Sequence, residues 1–269
     1  MAQGSILNNI PAIGASRQLG ISQAGLDKTI QRLTSGKRIN QAADDAAGLA
    51  ISNRLGADIR ISTQGRRNAM DGIAYLAVAD GALDEVTNLL TRAAELTQQS
   101  KTGTVSASNR EAIDLEFQAI TKAITNVATN AKFNGQTVFV SGTTLFAAVA
   151  NYSNITISVG TMAGSTSLTS SDLKTVTAAA AAEKLIEKAI QDVSMQRASI
   201  GANMQSLNTI SNTLGIQVEN FTAAFSQIRD ANIADEVVNL TKYQILMQSG
   251  TSALGQANQT SQMVLALLR

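Results

Sequence analysis

Apolar residues recur at alternating threes and fours along most of this chain, the spacing that gathers them on one face of a helix. The first such segment runs from about Ser5 to Leu33 and carries Leu19, Leu26, Ile30 and Leu33. Ser35-Gly36 then stops it. The second runs from about Asp44 to Ser100. In its later half Ile73, Leu76, Ala79, Leu83, Val86, Leu90 and Ala93 form a seam of the coiled-coil kind. As one continuous helix it would be about 80 Å long at about 1.5 Å per residue. Lys101-Thr102-Gly103-Thr104 ends it. Ser108-Asn109-Arg110-Glu111 has the capping-box pattern and predicts a helix to about Asn130, with Ile113, Phe117, Ile120, Ile124 and Val127 on one face.

The periodicity lapses over residues 131–172, which are rich in Gly, Ser, Thr and Val. Phe133-Asn134-Gly135 is a turn signal. Thr137–Val140 and Ile155–Val159, with Ser141-Gly142-Thr143 between them, predict a small β-hairpin at about 134–160. Helix resumes after Ser171-Asp172. Ile186, Ile190, Val193, Arg197, Ile200, Met204 and Leu207 alternate four and three, and Leu214, Val218, Phe221, Phe225 and Ile228 continue the stripe. In a last segment Ile233, Leu240, Met247, Leu254, Ser261 and Leu268 fall seven apart, with Val237 and Leu265 on the same face beside Gln244, Thr251 and Asn258. That seam is apolar enough to need a partner and too polar to make a core alone. The first segment shares this character, so both ends are expected to fold on binding.

The expected fold class is therefore mainly α, a long antiparallel helical bundle or coiled coil with a small β-hairpin region. Composition agrees. Apolar residues make up 44% of the chain but aromatics only 3%, which suits slim helices packed side by side. One proline, Pro11, leaves the remaining 258 residues free of that breaker, a condition for long helices. With no Cys and no His, the chain has no thiolate ligand, no disulfide and none of the commonest general base. Twenty-one basic against 20 acidic residues give a net charge of +1, with no field to draw nucleic acid or anionic lipid. No apolar run approaches the roughly 20 residues of a membrane span, and Met1–Leu19 lacks the order of a signal peptide. Composition alone would place such a chain in the cytosol.

Candidate chemistry is sparse. Ser35-Gly36-Lys37 fails as a phosphate loop, because Gln31 and Arg38 stand where a Gly and a Ser or Thr are needed. Asp44-Asp45 could be a carboxylate pair for acid–base or metal work. No third acid sits at useful spacing, and a helix N-terminus, where the dipole favours acids, is preferred. Met195, Met204 and Met247 sit in apolar stripes and are read as packing. The Ser/Thr-rich stretch from Ser141 to Thr177 is either a solvated loop or a carrier of O-linked sugars.

Several blocks carry a resemblance to a known family. Leu33-Thr34-Ser35-Gly36-Lys37-Arg38-Ile39-Asn40, continuing through Ala43-Asp44-Asp45-Ala46-Ala47-Gly48-Leu49-Ala50-Ile51, resembles the N-terminal signature of bacterial flagellins. Asn68–Gly72, Asp80–Leu83 and Phe133–Gly135 resemble further family blocks, as do Gln196–Ala202, Ala234–Glu236, Gln256–Gln259 and the closing Val264–Arg269. The likeness covers about residues 1–140 and 173–269, and the short middle leaves no room for a large outer domain. It implies a structural, non-enzymatic subunit of the flagellar filament, without cofactor or metal. Residues 1–43 and 231–269 would form a terminal inner-tube domain, and 44–230 a rod with its hairpin. The implied assembly seam comprises Leu26, Ile30, Leu33, Ile233, Val237, Leu240, Met247, Leu254, Leu265 and Leu268. Arg92, Leu96 and Glu116 align with the surface that flagellins present to an innate Toll-like receptor; a subunit contact surface is the plainer reading. Other implied partners are further copies of the chain, flagellar cap and hook-junction proteins and an export chaperone. The implied route is type III flagellar export to an extracellular filament, with no cleaved signal. The alternative is a hook–filament junction adaptor, with similar ends but capping rather than polymerising.

Overall fold

The computed structural model describes residues 9–139, 144–149, 152–159, 168 and 171–267. Each helix starts and stops for a local reason. Helix α1, Ile10–Ser35, opens with the Asn9 side chain accepting the Ala12 N–H at 3.1 Å and with Pro11 in its first turn, where a missing N–H costs nothing. Gly36 closes it in the left-handed region, φ +68°. Helix α2, Ala46–Lys101, is a single helix of 56 residues, and Asp45 caps it by accepting the Gly48 N–H at 2.9 Å. Helix α3, Ala107–Asn130, is capped by Ser106, which accepts the Asn109 N–H, so the cap lies two residues before the one the sequence pattern suggested.

Among the described residues after α3 are two antiparallel hairpins: β1 (Lys132–Phe133) with β2 (Gln136–Thr137), and β3 (Thr144–Val149) with β4 (Tyr152–Ser158). The sequence reading paired 137–140 with 155–159. Instead Thr137 pairs back to Lys132, because Asn134 and Gly135 take φ values of 49° and 79°, the doubly left-handed turn that joins adjacent strands. Ile155 and Ile157 pair with Ala147 and Leu145. The start of the first segment at Ser5, Val140 and the Ser141-Gly142-Thr143 turn lie outside the described residues.

Helix α4, Val176–Arg229, begins later than Ser171-Asp172, where Thr175 accepts the Ala178 N–H. Residues 171–173 are pinned instead. Asp114 accepts the Leu173 N–H at 2.8 Å, Ser100 donates to the Leu173 carbonyl at 2.7 Å, and Gln118 donates to that of Ser171. Helix α5 spans Ile233–Leu267, with Asn232 accepting the Ala234 N–H.

The chain forms two compact units, Met1–Asp58 with Asn220–Arg269, and Ile59–Glu219. The second has the large core. Leu76, Leu83 and Leu90 of α2, Phe117 and Ile124 of α3, and Ile186, Ile200, Leu207 and Leu214 of α4 are buried together. Each such side chain contributes about 1.5–3 kcal/mol by leaving water. Tyr75 packs edge-on to Phe133, ring centroids 5.8 Å apart, and its hydroxyl donates to the Val138 carbonyl. At the flank of this core Arg197 of α4 bridges Asp80 and Asp84 of α2, while Glu183 accepts from Lys101 and Gln98. These surface pairs are worth little individually, about 0.2–1 kcal/mol, but they fix α4 antiparallel to α2.

Candidate assembly surfaces

In the first unit α1 packs antiparallel along α5. Arg32 meets Glu236 at 3.2 Å, and the Asn9 side chain donates to the Ala257 carbonyl at 3.1 Å. Between them the helices come close. A Cβ on Gly25 would lie 2.5 Å from the Tyr243 ring, and one on Gly250 would lie 3.1 Å from Leu19. The chain crosses from α1 to α2 beside the crossing from α4 to α5, where Arg38 N–H donates to the Arg229 carbonyl at 2.7 Å and Ala231 N–H to that of Gly36 at 3.0 Å.

Asp44 locks the same corner. Its carboxylate pairs with Lys28 at 2.6 Å and accepts the backbone N–H groups of Gln41 and Asn40. The Lys28 hydrogen bond, then those two N–H groups, lower its pKa from an ordinary 3.8 to about 2. The acid pair read from the sequence is thus a structural one, Asp44 tying a loop and Asp45 capping α2. No group of three or more acidic residues placed to hold a metal occurs among the described residues.

The seam read from the sequence divides in two. Leu26, Leu33, Leu240, Met247 and Leu254 are half-buried. Ile30, Ile233 and Val237 are exposed, at the edge of the same stripe. The side chains of Leu265 and Leu268 lie outside those described. A second apolar set escaped the sequence reading: Ile10, Ile13 and Ile21 of α1, and Val238, Ile245 and Leu246 of α5, are all exposed. Its signal was available, since Val238 and Ile245 stand seven apart, as do Leu240 and Met247. Two heptads run along one helix, and only one was followed. Terminal helices apolar on two sides are built to be covered on two sides.

Arg92 and Glu116 do come together, at 2.8 Å, with Glu95 on the other side of the guanidinium at 2.9 Å. All three are exposed. Leu96 does not join them: it is 1% exposed, in the core between α2 and its neighbours. Spacing by four puts two residues near one face, but here the core boundary runs between them. Leu96 is therefore withdrawn from the presented surface. Met195 is corrected in the other direction. It stands two residues after the buried Val193, on the opposite side of the helix, and is 58% exposed rather than packed.

These features define a helical structural protein whose terminal helices keep exposed apolar faces. The family profiles agree. That of the bacterial flagellin N-terminal helical region matches residues 6–144, and that of the C-terminal helical region matches residues 184–268. The chain is 36% identical to the flagellar filament 33 kDa core protein of Treponema phagedenis, and 37% identical to a flagellin of Halalkalibacterium halodurans. It is 34% identical to a flagellin of Bacillus subtilis, and each of the three matches spans 98% of this chain and 99% of the relative. The chain belongs to the bacterial flagellin family.

Proposed function

We propose that this chain is a structural subunit that polymerises through its terminal helices into the bacterial flagellar filament. The carrying observation is the exposed apolar set on α1 and α5. Isoleucines and valines at Ile13, Ile21, Val238 and Ile245 stand in water on helices that already have one partner. Covering them in a polymer would release about 1.5–3 kcal/mol per side chain, set against the entropy of ordering the ends. The inner-tube role of residues 1–43 and 231–269, and their folding on assembly, belong to this proposal. The relatives are filament core proteins and flagellins over their whole length, which leaves the junction-adaptor reading without support.

Such a filament is extracellular, and no described helix is long and apolar enough to cross a membrane. Type III export, a chaperone on the C-terminal helix and the cap and junction partners complete the proposal. The exposed residues of α5 are the surface a chaperone would cover. The test is growth from filament seeds at neutral pH, followed by electron microscopy, for the full chain and for one lacking residues 231–269. Long filaments from the first and none from the second are expected. A full chain that stays monomeric on good seeds would overturn the reading.

A further inference from the structure

Helices α1 and α5 shield each other along ladders that repeat every seven residues. On α1 the large shielded side chains are Leu19, Leu26 and Leu33. On α5 they are Leu240, Met247 and Leu254. These aliphatic ladders look the same after a shift of one heptad, so burying them does not choose between registers. A second ladder of α5, also shielded, differs at every step: Glu236, Tyr243, Gly250, Ala257. Each step meets its own match on α1. Arg32 reaches Glu236 at 3.2 Å, Gly25 leaves room for the Tyr243 ring, Gly250 leaves room for Leu19, and Asn9 donates to the Ala257 carbonyl.

Glu236 is the one acid buried in this unit among the described residues. Its pairing is incomplete: Glu236 Oε2 and Arg32 Nε are buried without a hydrogen-bond partner among the described residues. A buried pair joined by one contact adds little stability, because desolvation of both charges offsets their attraction. Parting it is costly, because a buried charge is then left unmatched. A slip of one heptad in one direction brings Arg32 to Tyr243 and carries Glu236 past the end of α1. The opposite slip brings Glu236 to Gly25 and carries Arg32 past the start of α5. Either slip separates the charges while the aliphatic ladders stay matched. We propose that the Arg32–Glu236 pair is the register lock of the terminal helices, excluding heptad slips that the aliphatic ladders accept. Both are positioning residues: they fix which stretches of α1 and α5 stand side by side, and so which exposed side chains the pair presents together.

The chain has no cysteine, so register can be read by introduced disulfides. A Cβ on Gly250 would lie 3.9 Å from that of Leu19, within the disulfide range of about 3.5–4.5 Å. Leu19→Cys with Gly250→Cys therefore reports the natural register. Leu26→Cys with Gly250→Cys, and Leu19→Cys with Tyr243→Cys, report the two slips. Each pair is placed in the otherwise natural chain and in one carrying Arg32→Met and Glu236→Leu. Closure within single chains is measured by mass, without reduction, in filaments grown from seeds. In the natural background only the first pair should close. With both charges replaced, a slipped pair should close at least about tenfold more often, in filaments that melt no lower than the natural ones. Glu236→Leu alone, which strands Arg32, should melt lower than either. Closure in the natural register alone after both replacements would show that the backbone bonds at the corner suffice, and would overturn the inference. So would closure of no pair, which would make the contact a plain tie. Failure of the natural chain to elongate would instead overturn the filament reading, on which this test in the assembled state rests.

Discussion

Single residues in this chain act mostly as ties between helices, and their worth follows from how far water is kept out. Glu183 accepts from Lys101 and from Gln98 at the flank of the large core. The Lys101 hydrogen bond, then that of Gln98, holds its carboxyl below the ordinary 4.5. A carboxyl with a lower pKa folded than unfolded stabilises the fold above its unfolded pKa, and that contribution is lost as pH falls through the folded one. Melting of the monomer should therefore drop below about pH 4.5 in part through this group. Glu183→Gln should lower stability at pH 7 and flatten that acid dependence. Circular dichroism melts at pH 7 and pH 3 check it; parallel losses in both chains at both pH values would count against the tie. Asp44 has the same sign in the other unit, with a window reaching down to about 2.

At the scale of elements, the close approach of α1 to α5 depends on what is missing at Gly25. Valine there would drive two methyl groups toward a ring already 2.5 Å from the position of a Cβ. Overpacking of this kind costs about 1–3 kcal/mol. Gly25→Val should raise hydrogen exchange along both α1 and α5 in assembled filaments, while the α2–α3–α4 core keeps its protection. The helices themselves were legible in the sequence because their periodicity is long and Gly36, which needed a left-handed backbone, marks a stop; the start was less so, since the segment was opened at about Ser5 although Pro11 fits only a first turn. The caps were less so. Ser106 and Ser108 look alike in a string, and only the backbone decides which one accepts an N–H. The hairpin pairing was misread because β-branched residues mark a strand without marking its partner, whereas Asn134-Gly135 fixes both. Leu96 and Met195 exchanged places for a related reason. A stripe read at threes and fours locates a face to within a residue, and one residue is enough to separate core from surface.

At the scale of the molecule, the two units divide the work between them. The core cluster lies wholly within Ile59–Glu219. A fragment of those residues should fold and melt cooperatively alone, measured by circular dichroism, and should fail to elongate seeds. A fragment without helical signal would show that the cut ends of α2 and α4 are needed for the fold. The larger unit also holds the chain on both sides of its least helical stretch. Tyr75 grips the outgoing chain at Val138, and Asp114 and Ser100 grip the returning chain at Leu173. All three grips seize the main chain, so they are indifferent to which side chains lie between them. In mechanical terms the chain is made fast at two cleats, Val138 and Leu173, and a pull arriving at either is taken up by the large core.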